Sequence, residues 1–355
     1  MKFSLFIEAQ TADGKPAAER QLFHDIVAQA ELADALGYHA IWAVEHHGLY
    51  EYSHCSAPEV LLAFIAARTK NIRLGHGVTL SPGRYNHPIR IAERIATLDV
   101  LSGGRVNWGS GKSSTRVEQE AFEVDKAELD SQWREALEMI PRMWRSEIFE
   151  HRGTHYDIPP TAIVPRPVQS PNPPVYIACS RPESIVAAGE LGVGSLNFAG
   201  STQAQLADHV SQYRAAITRC TQPPRRITNQ FCCTPAAIVL EDDRAACAIG
   251  FRGARYHQEG LGHYFFSPVR SLGSPELSTR SLSGDEIDRA MAARGHPDQS
   301  LSTIIGDPVA ALESVRRFQD AGVDELIMVM QMGTVPQEIV MRSLRLFGEK
   351  VMAQF

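Results

Sequence analysis

Apolar and polar positions alternate between two periods along most of the chain. Residues 2–7 (KFSLFI) form a short apolar run that predicts a strand. Residues 19–36 then place Leu22, Ile26, Ala30, Ala33 and Leu36 on one helical face, and Gly37 is a natural stop. Apolar runs at 39–44, 72–80 and 105–108 predict three further strands, with helical spacing at 58–68, 88–101 and 126–145. Beyond residue 174 the alternation resumes. Strands are predicted at 175–178, 193–198, 226–240 and 325–330, and helices at 183–191, 203–219, 242–257 and 336–351. Eight strand–helix units whose strands are apolar on both faces predict an α/β fold, a closed parallel barrel of the TIM (β/α)8 type. Residues 258–305 break the pattern. They carry Gly, Ser, Pro and a short apolar patch (Tyr264, Phe265, Phe266), and are expected to form a lid or substrate-loop insertion before the eighth strand.

Composition changes this picture at one point. Seven of the 21 prolines fall in residues 159–174, which by composition alone suggests a linker between two domains. The strand count assigns that stretch to the crossing from the fourth helix to the fifth strand. Residues 1–355 are therefore expected to form one barrel domain. A formal charge of −6 gives no basic footprint for nucleic acid or an anionic membrane. The longest apolar run, residues 60–67, is far too short to span a bilayer. Six cysteines without a CxxC spacing do not form a disulfide framework, so a cytoplasmic protein is expected.

In such a barrel, chemistry sits where strands end and loops begin. The second strand runs into Glu45-His46-His47, an acid and two imidazoles suited to proton transfer. The fourth runs into Gly109-Ser110-Gly111-Lys112-Ser113-Ser114, small residues with hydroxyls and a cation, as a phosphate requires. Neither nucleotide fingerprint fits this loop. Val106 stands where a phosphate-binding loop of the GxxxxGK type needs its first glycine, and Ser114 replaces the last glycine of GxGxxG. The fifth strand ends in Cys179-Ser180-Arg181-Pro182-Glu183-Ser184, where Ser180 and Glu183 have capping-box spacing. Arg181 and Ser184 in that first helical turn favour an anion. Histidine spacings, including His151 and His155, specify no metal site.

Together these segments resemble the bacterial luciferase-like flavin-dependent monooxygenases. Residues 41–47 (IWAVEHH), 74–90 (LGHGVTLSPGRYNHPIR), 98–111 (LDVLSGGRVNWGSG) and 175–192 (VYIACSRPESIVAAGELG) carry the likeness. The resemblance implies that His46 is the active-site histidine near the flavin ring, with Glu45 as its neighbour. It also implies that Gly77 and Val78 form a cis peptide beneath the isoalloxazine. Ser110, Lys112, Ser180, Arg181 and Ser184 would hold the FMN phosphate. Two departures stand out. Gly111 occupies the place of the reactive cysteine of light-emitting members, so light emission is not implied. Lys112 replaces an arginine, a point charge in place of a two-pronged contact.

The activity implied is that of a two-component monooxygenase. Reduced FMN from an NAD(P)H-dependent flavin reductase would react with O2 to give a C4a-peroxyflavin, which oxygenates a small organic substrate. A homodimer is implied by the family alone. Two other activities stay open on this barrel: a deazaflavin-dependent dehydrogenase and a non-catalytic flavin-binding subunit.

Overall fold

The computed structural model describes residues 1–221, 227–266, 277–296 and 298–355. Its first barrel strands are β1 (Lys2–Ile7), β2 (Ala40–Ala43), β3 (Arg73–Leu80) and β4 (Val106–Gly111). An antiparallel hairpin, β5 (Phe149–Arg152) and β6 (Asp157–Thr161), interrupts the sequence before β7 (Val175–Cys179), β8 (Gly194–Phe198) and β9 (Phe231–Thr234). A parallel pair, β10 (Ala236–Val239) and β11 (Thr303–Gly306), precedes β12 (Glu325–Met328). Among the described residues, eight parallel strands close the barrel in the order β1-β2-β3-β4-β7-β8-β9-β12. Closure is made by β1, which pairs Ser4 with Ala40 on one side and Lys2 with Glu325 on the other.

Each expected barrel strand is present because its residues are apolar on both faces and helices cover the outside. Ala40–Ala43 and Glu325–Met328 are buried at every position. Side chains plug the floor of the barrel. Trp42 meets Tyr176 edge-on at 4.9 Å, and its indole N–H donates to the buried Glu325 carboxylate at 3.1 Å.

Two expectations are corrected. The long seventh strand of residues 226–240 is two strands. Pro235 lacks an N–H and stands between Thr234, the end of β9, and Ala236, the start of β10. From there β10 leaves the barrel to pair with β11. The 258–305 insertion also has more regular structure than its weak periodicity suggests. The helix Asp243–Leu261 extends into it, Ser283 caps the helix Gly284–Ala293, and β11 ends it. Arg226 and, within the insertion, residues 267–276 and 297 lie outside the described residues.

One irregularity shapes the upper face of the barrel. The peptide bond Gly77–Val78 is cis, and the pairing of β3 with β4 shifts register between His76 and Thr79. The bulged backbone leans on β4. A Cβ at Gly109 would lie 2.2 Å from the His76 carbonyl oxygen, and one at Gly111 would lie 2.4 Å from a Val78 methyl. Glycine at both positions is what admits the bulge.

Candidate active site

A cavity of about 860 Å³ opens at the C-terminal ends of the barrel strands. That is the upper range for small-molecule pockets. Its wall runs from Glu8, just past β1, through Glu45 and His46 past β2, Gly77 and Val78 on β3 and Gly111 and Lys112 at β4, to Ser180 and Arg181 past β7.

His46 is held on this wall between two carboxylates. Its Nδ1 donates to Glu118 Oε1 at 2.9 Å, and its Nε2 lies 3.9 Å from Glu8 Oε2. Glu118 lies in the first turn of the short helix Arg116–Ala121, capped by Thr115. The Glu118 carboxylate is fully buried and collects four donors. They are His46 Nδ1, the His47 N–H at 3.0 Å, and the Ser113 and Thr115 hydroxyls, each at 2.6 Å. Burial opposes its charge, but His46 and the two hydroxyls outweigh burial and hold the carboxyl at about 2. For His46, burial favours the neutral ring. The hydrogen bond and charge of Glu118, with Glu8 and Glu45 behind, reverse this and raise its pKa above the ordinary histidine value. The surroundings therefore favour the protonated ring, held at Nδ1, with Nε2 on the Glu8 side of the cavity.

The Glu8 carboxyl is pushed up to about 6 by burial, against the lowering effects of His46 and the Tyr52 hydroxyl. That hydroxyl donates to Glu8 Oε1 at 2.8 Å. Tyr52 packs edge-on against His46 at 5.6 Å and against Phe265 at 5.6 Å, and stacks on His257 at 5.4 Å.

At the far end of the cavity, Lys112 forms an ion pair with Asp130, whose second oxygen accepts from Arg134 Nε at 2.6 Å. Both cations lie over the Trp133 ring, at 5.4 Å and 5.6 Å from its centre. The exposed Ser180 and Arg181 face the same space with Ser184, at the start of the helix Pro182–Glu190.

The family profile of luciferase-like monooxygenases matches residues 1–325. The chain belongs to that family. The flavin-dependent trigonelline monooxygenase oxygenase component of Acinetobacter baylyi is 32% identical over 186 residues, 52% of this chain and 50% of that one. At this level of identity the chain spans about half the length of the curated relatives it matches. An F420-dependent glucose-6-phosphate dehydrogenase from Amycolatopsis mediterranei is 26% identical over 320 residues, 88% of this chain and 90% of that one. The crystal structure of monooxygenase RslO1 from Streptomyces bottropensis superposes with a TM-score of 0.83 at 26% identity, covering 100% of this chain and 99% of that one. Among the described residues no helix is long and apolar enough to cross a membrane.

Within this luciferase-like barrel, the sequence-predicted residues divide into two groups. His46, Gly77, Val78, Lys112, Ser180, Arg181 and Ser184 share the one cavity. Glu45 reaches the wall and its charge helps to raise the His46 pKa, but it makes no hydrogen bond to that ring. Its carboxylate accepts the Leu80 N–H at 2.8 Å and the Asn86 amide at 2.7 Å, and so ties the end of β3 in place. Ser110 is corrected more fully. It is completely buried, its hydroxyl lies 2.8 Å from that of Ser81, and it accepts the Trp133 indole N–H at 3.2 Å, beneath the loop. The helix cap moves by one residue from Ser180 to Arg181, whose backbone N–H donates to Ser184 Oγ at 3.2 Å.

Glu8, Tyr52, Glu118, Asp130 and Arg134 are not predicted by the sequence reading. Two of them leave a signal. Thr115 and Glu118 have the T-x-x-E spacing of a helix start, and Glu8 is the first charge after a barrel strand.

Proposed function

We propose that this chain is the oxygenase of a two-component flavin-dependent monooxygenase, acting in the cytosol on a small organic substrate. One observation carries the reading. A single cavity joins a cationic, hydroxyl-bearing end (Lys112, Arg134, Ser180, Arg181, Ser184) to the His46–Glu118 pair across the Gly77–Val78 bulge. These residues fit FMN. The phosphate belongs at the cationic end, where the first turn of Pro182–Glu190 presents its backbone N–H groups. The ring belongs over Gly77–Val78, where Gly111 has no side chain to obstruct it.

Reduced FMN, supplied by an NAD(P)H-dependent flavin reductase, provides two electrons, so that one atom of O2 enters the substrate and the other leaves as water. The chain's own work is done around that ring. Glu118 fixes the orientation and charge of His46. His46 Nε2 holds or releases a proton on the Glu8 side of the cavity. Tyr52 and Phe265 wall that corner with aromatic surface and keep bulk water from it. The six free cysteines suit a reducing compartment.

A homodimer is part of the proposal. The neighbouring helices Pro58–Arg68 and Pro88–Ser102 expose Val60, Phe64 and Leu101 at 66%, 58% and 70%. Deazaflavin-dependent hydride transfer is the rival reading, supported by the dehydrogenase relative.

Comparison of FMN with riboflavin tests the phosphate end. FMN is expected to bind at least about tenfold more tightly, and Lys112→Ala to erase most of that advantage. Equal affinity for the two would sink the assignment.

A further inference from the structure

We propose that Glu8 selects the substrate, and that the substrate carries a cationic nitrogen. This rests on reading the cavity as an oxygenation site, and it starts from a carboxylate the fold leaves unfinished. Glu8 is 1% exposed, yet among the described residues its Oε2 has no hydrogen-bond partner. His46 Nε2 lies 3.9 Å away, beyond hydrogen-bond range. Burying a carboxylate oxygen without a donor is costly, so such a group on a cavity wall marks a place where a ligand completes the site.

The surrounding charges do not neutralise it. Glu45 is taken up by Leu80 and Asn86, and Glu118 by His46, His47, Ser113 and Thr115. A single imidazole, His46, stands between the Glu8 and Glu118 carboxylates, so the corner stays net negative even when that ring is protonated. His257 adds no charge, because burial pushes its imidazole down to about 4. Lys112 and Arg181 follow β4 and β7, which lie three and four strands from β1 around the ring of eight, on the opposite side.

The rest of the corner is aromatic. Tyr52 and Phe265 meet at 5.6 Å and 70°, and the His257 ring lies stacked on Tyr52. A carboxylate beside the faces of aromatic rings is the chemistry that retains an ammonium or other nitrogen cation. The flavin phosphate and the substrate cation would therefore occupy opposite poles of one cavity, with His46 between them.

The test compares benzylammonium with benzyl alcohol, two probes of closely matched shape. Titration calorimetry at pH 8 is run on the full chain with and without oxidised FMN. Wild type is expected to bind the ammonium at least about tenfold more tightly than the alcohol. Glu8→Gln, which keeps the acceptor for Tyr52, is expected to abolish that preference while its thermal melt and its FMN affinity stay close to wild type. Equal affinity for the two probes in wild type overturns the proposal whatever the variant does. So does a preference that survives in a folded Glu8→Gln. A chain that shows the ammonium preference but fails to bind FMN would sink the flavin reading and leave the Glu8 assignment standing.

Discussion

His46 Nδ1 lies 2.9 Å from Glu118 Oε1, and the two residues are 72 positions apart in the chain. Barrel closure brings the end of β2 against the loop beyond β4, and this ion pair is the product. Glu118→Gln preserves the shape and removes the charge. The His46 pKa is expected to fall and turnover to drop by about 10²-fold, with FMN affinity nearly unchanged. Histidine-selective NMR titration, run beside the pH–rate profile, checks this. A His46 titration that Glu118→Gln does not move would contradict it.

The same pair gives the folded protein a pH signature. Glu118, held at about 2, contributes stability above its ordinary value of 4.5 and loses it as the pH falls toward 2. His46, raised, contributes below 6.5 and loses that contribution as the pH climbs through its folded value. The two contributions are present together between 4.5 and 6.5. Denaturation of wild type and His46→Gln across pH 3–9 is expected to show the largest difference in that window, about 3 kcal/mol, shrinking on either side. A pH-independent difference would argue that the pair is only packing.

Glu45 is a positioning residue. Glu45→Ala leaves the Leu80 N–H and the Asn86 amide without their acceptor. A loss of about 2–3 kcal/mol in urea unfolding is expected. The pH–rate profile of the remaining activity should move to lower pH only slightly and far less than in Glu118→Gln. Glu45 is the smallest of the influences that raise His46, whose Nδ1 donates to Glu118. A normal unfolding curve with a pH profile displaced as far as in Glu118→Gln would reverse this assignment.

Asp130 pairs with both Lys112 and Arg134, so on the proposed reading it would compete with the flavin phosphate for them. Asp130→Asn frees both cations, and FMN is expected to bind about 3–10-fold more tightly with riboflavin unaffected. Flavin fluorescence quenching at two ionic strengths reads the change. Weaker FMN binding in Asp130→Asn would mean that Asp130 orients the cations instead of occupying them.

The barrel was legible because its strands are continuous apolar runs separated by helical spacing; the same continuity hid the division of β9 from β10, which Pro235 marks. The cationic end of the cavity was legible as two short loops, at residues 109–114 and 179–184, which were informative only in combination. The proton-handling end was not. Adjacent residues on an extended chain point in different directions, so Glu45 beside His46 in sequence is directed to Leu80 and Asn86 in space. The partners His46 does use, Glu118 and Glu8, are single acids on other strands and loops, whose meaning appears only when the ring closes. Ser110 shows the same effect, since its neighbour Gly111 lines the cavity while its own hydroxyl is buried beneath the loop.

The most direct test of the oxygenase reading is anaerobic titration with reduced FMN and, separately, reduced F420, followed by mixing with oxygenated buffer and measurement of hydrogen peroxide release. The chain is expected to bind reduced FMN at micromolar concentrations and in preference to F420. Peroxide release should be at least about tenfold slower than from free reduced FMN, and faster again in His46→Gln. Failure to bind reduced FMN, tighter binding of F420, or peroxide release as fast as from free flavin would contradict the account.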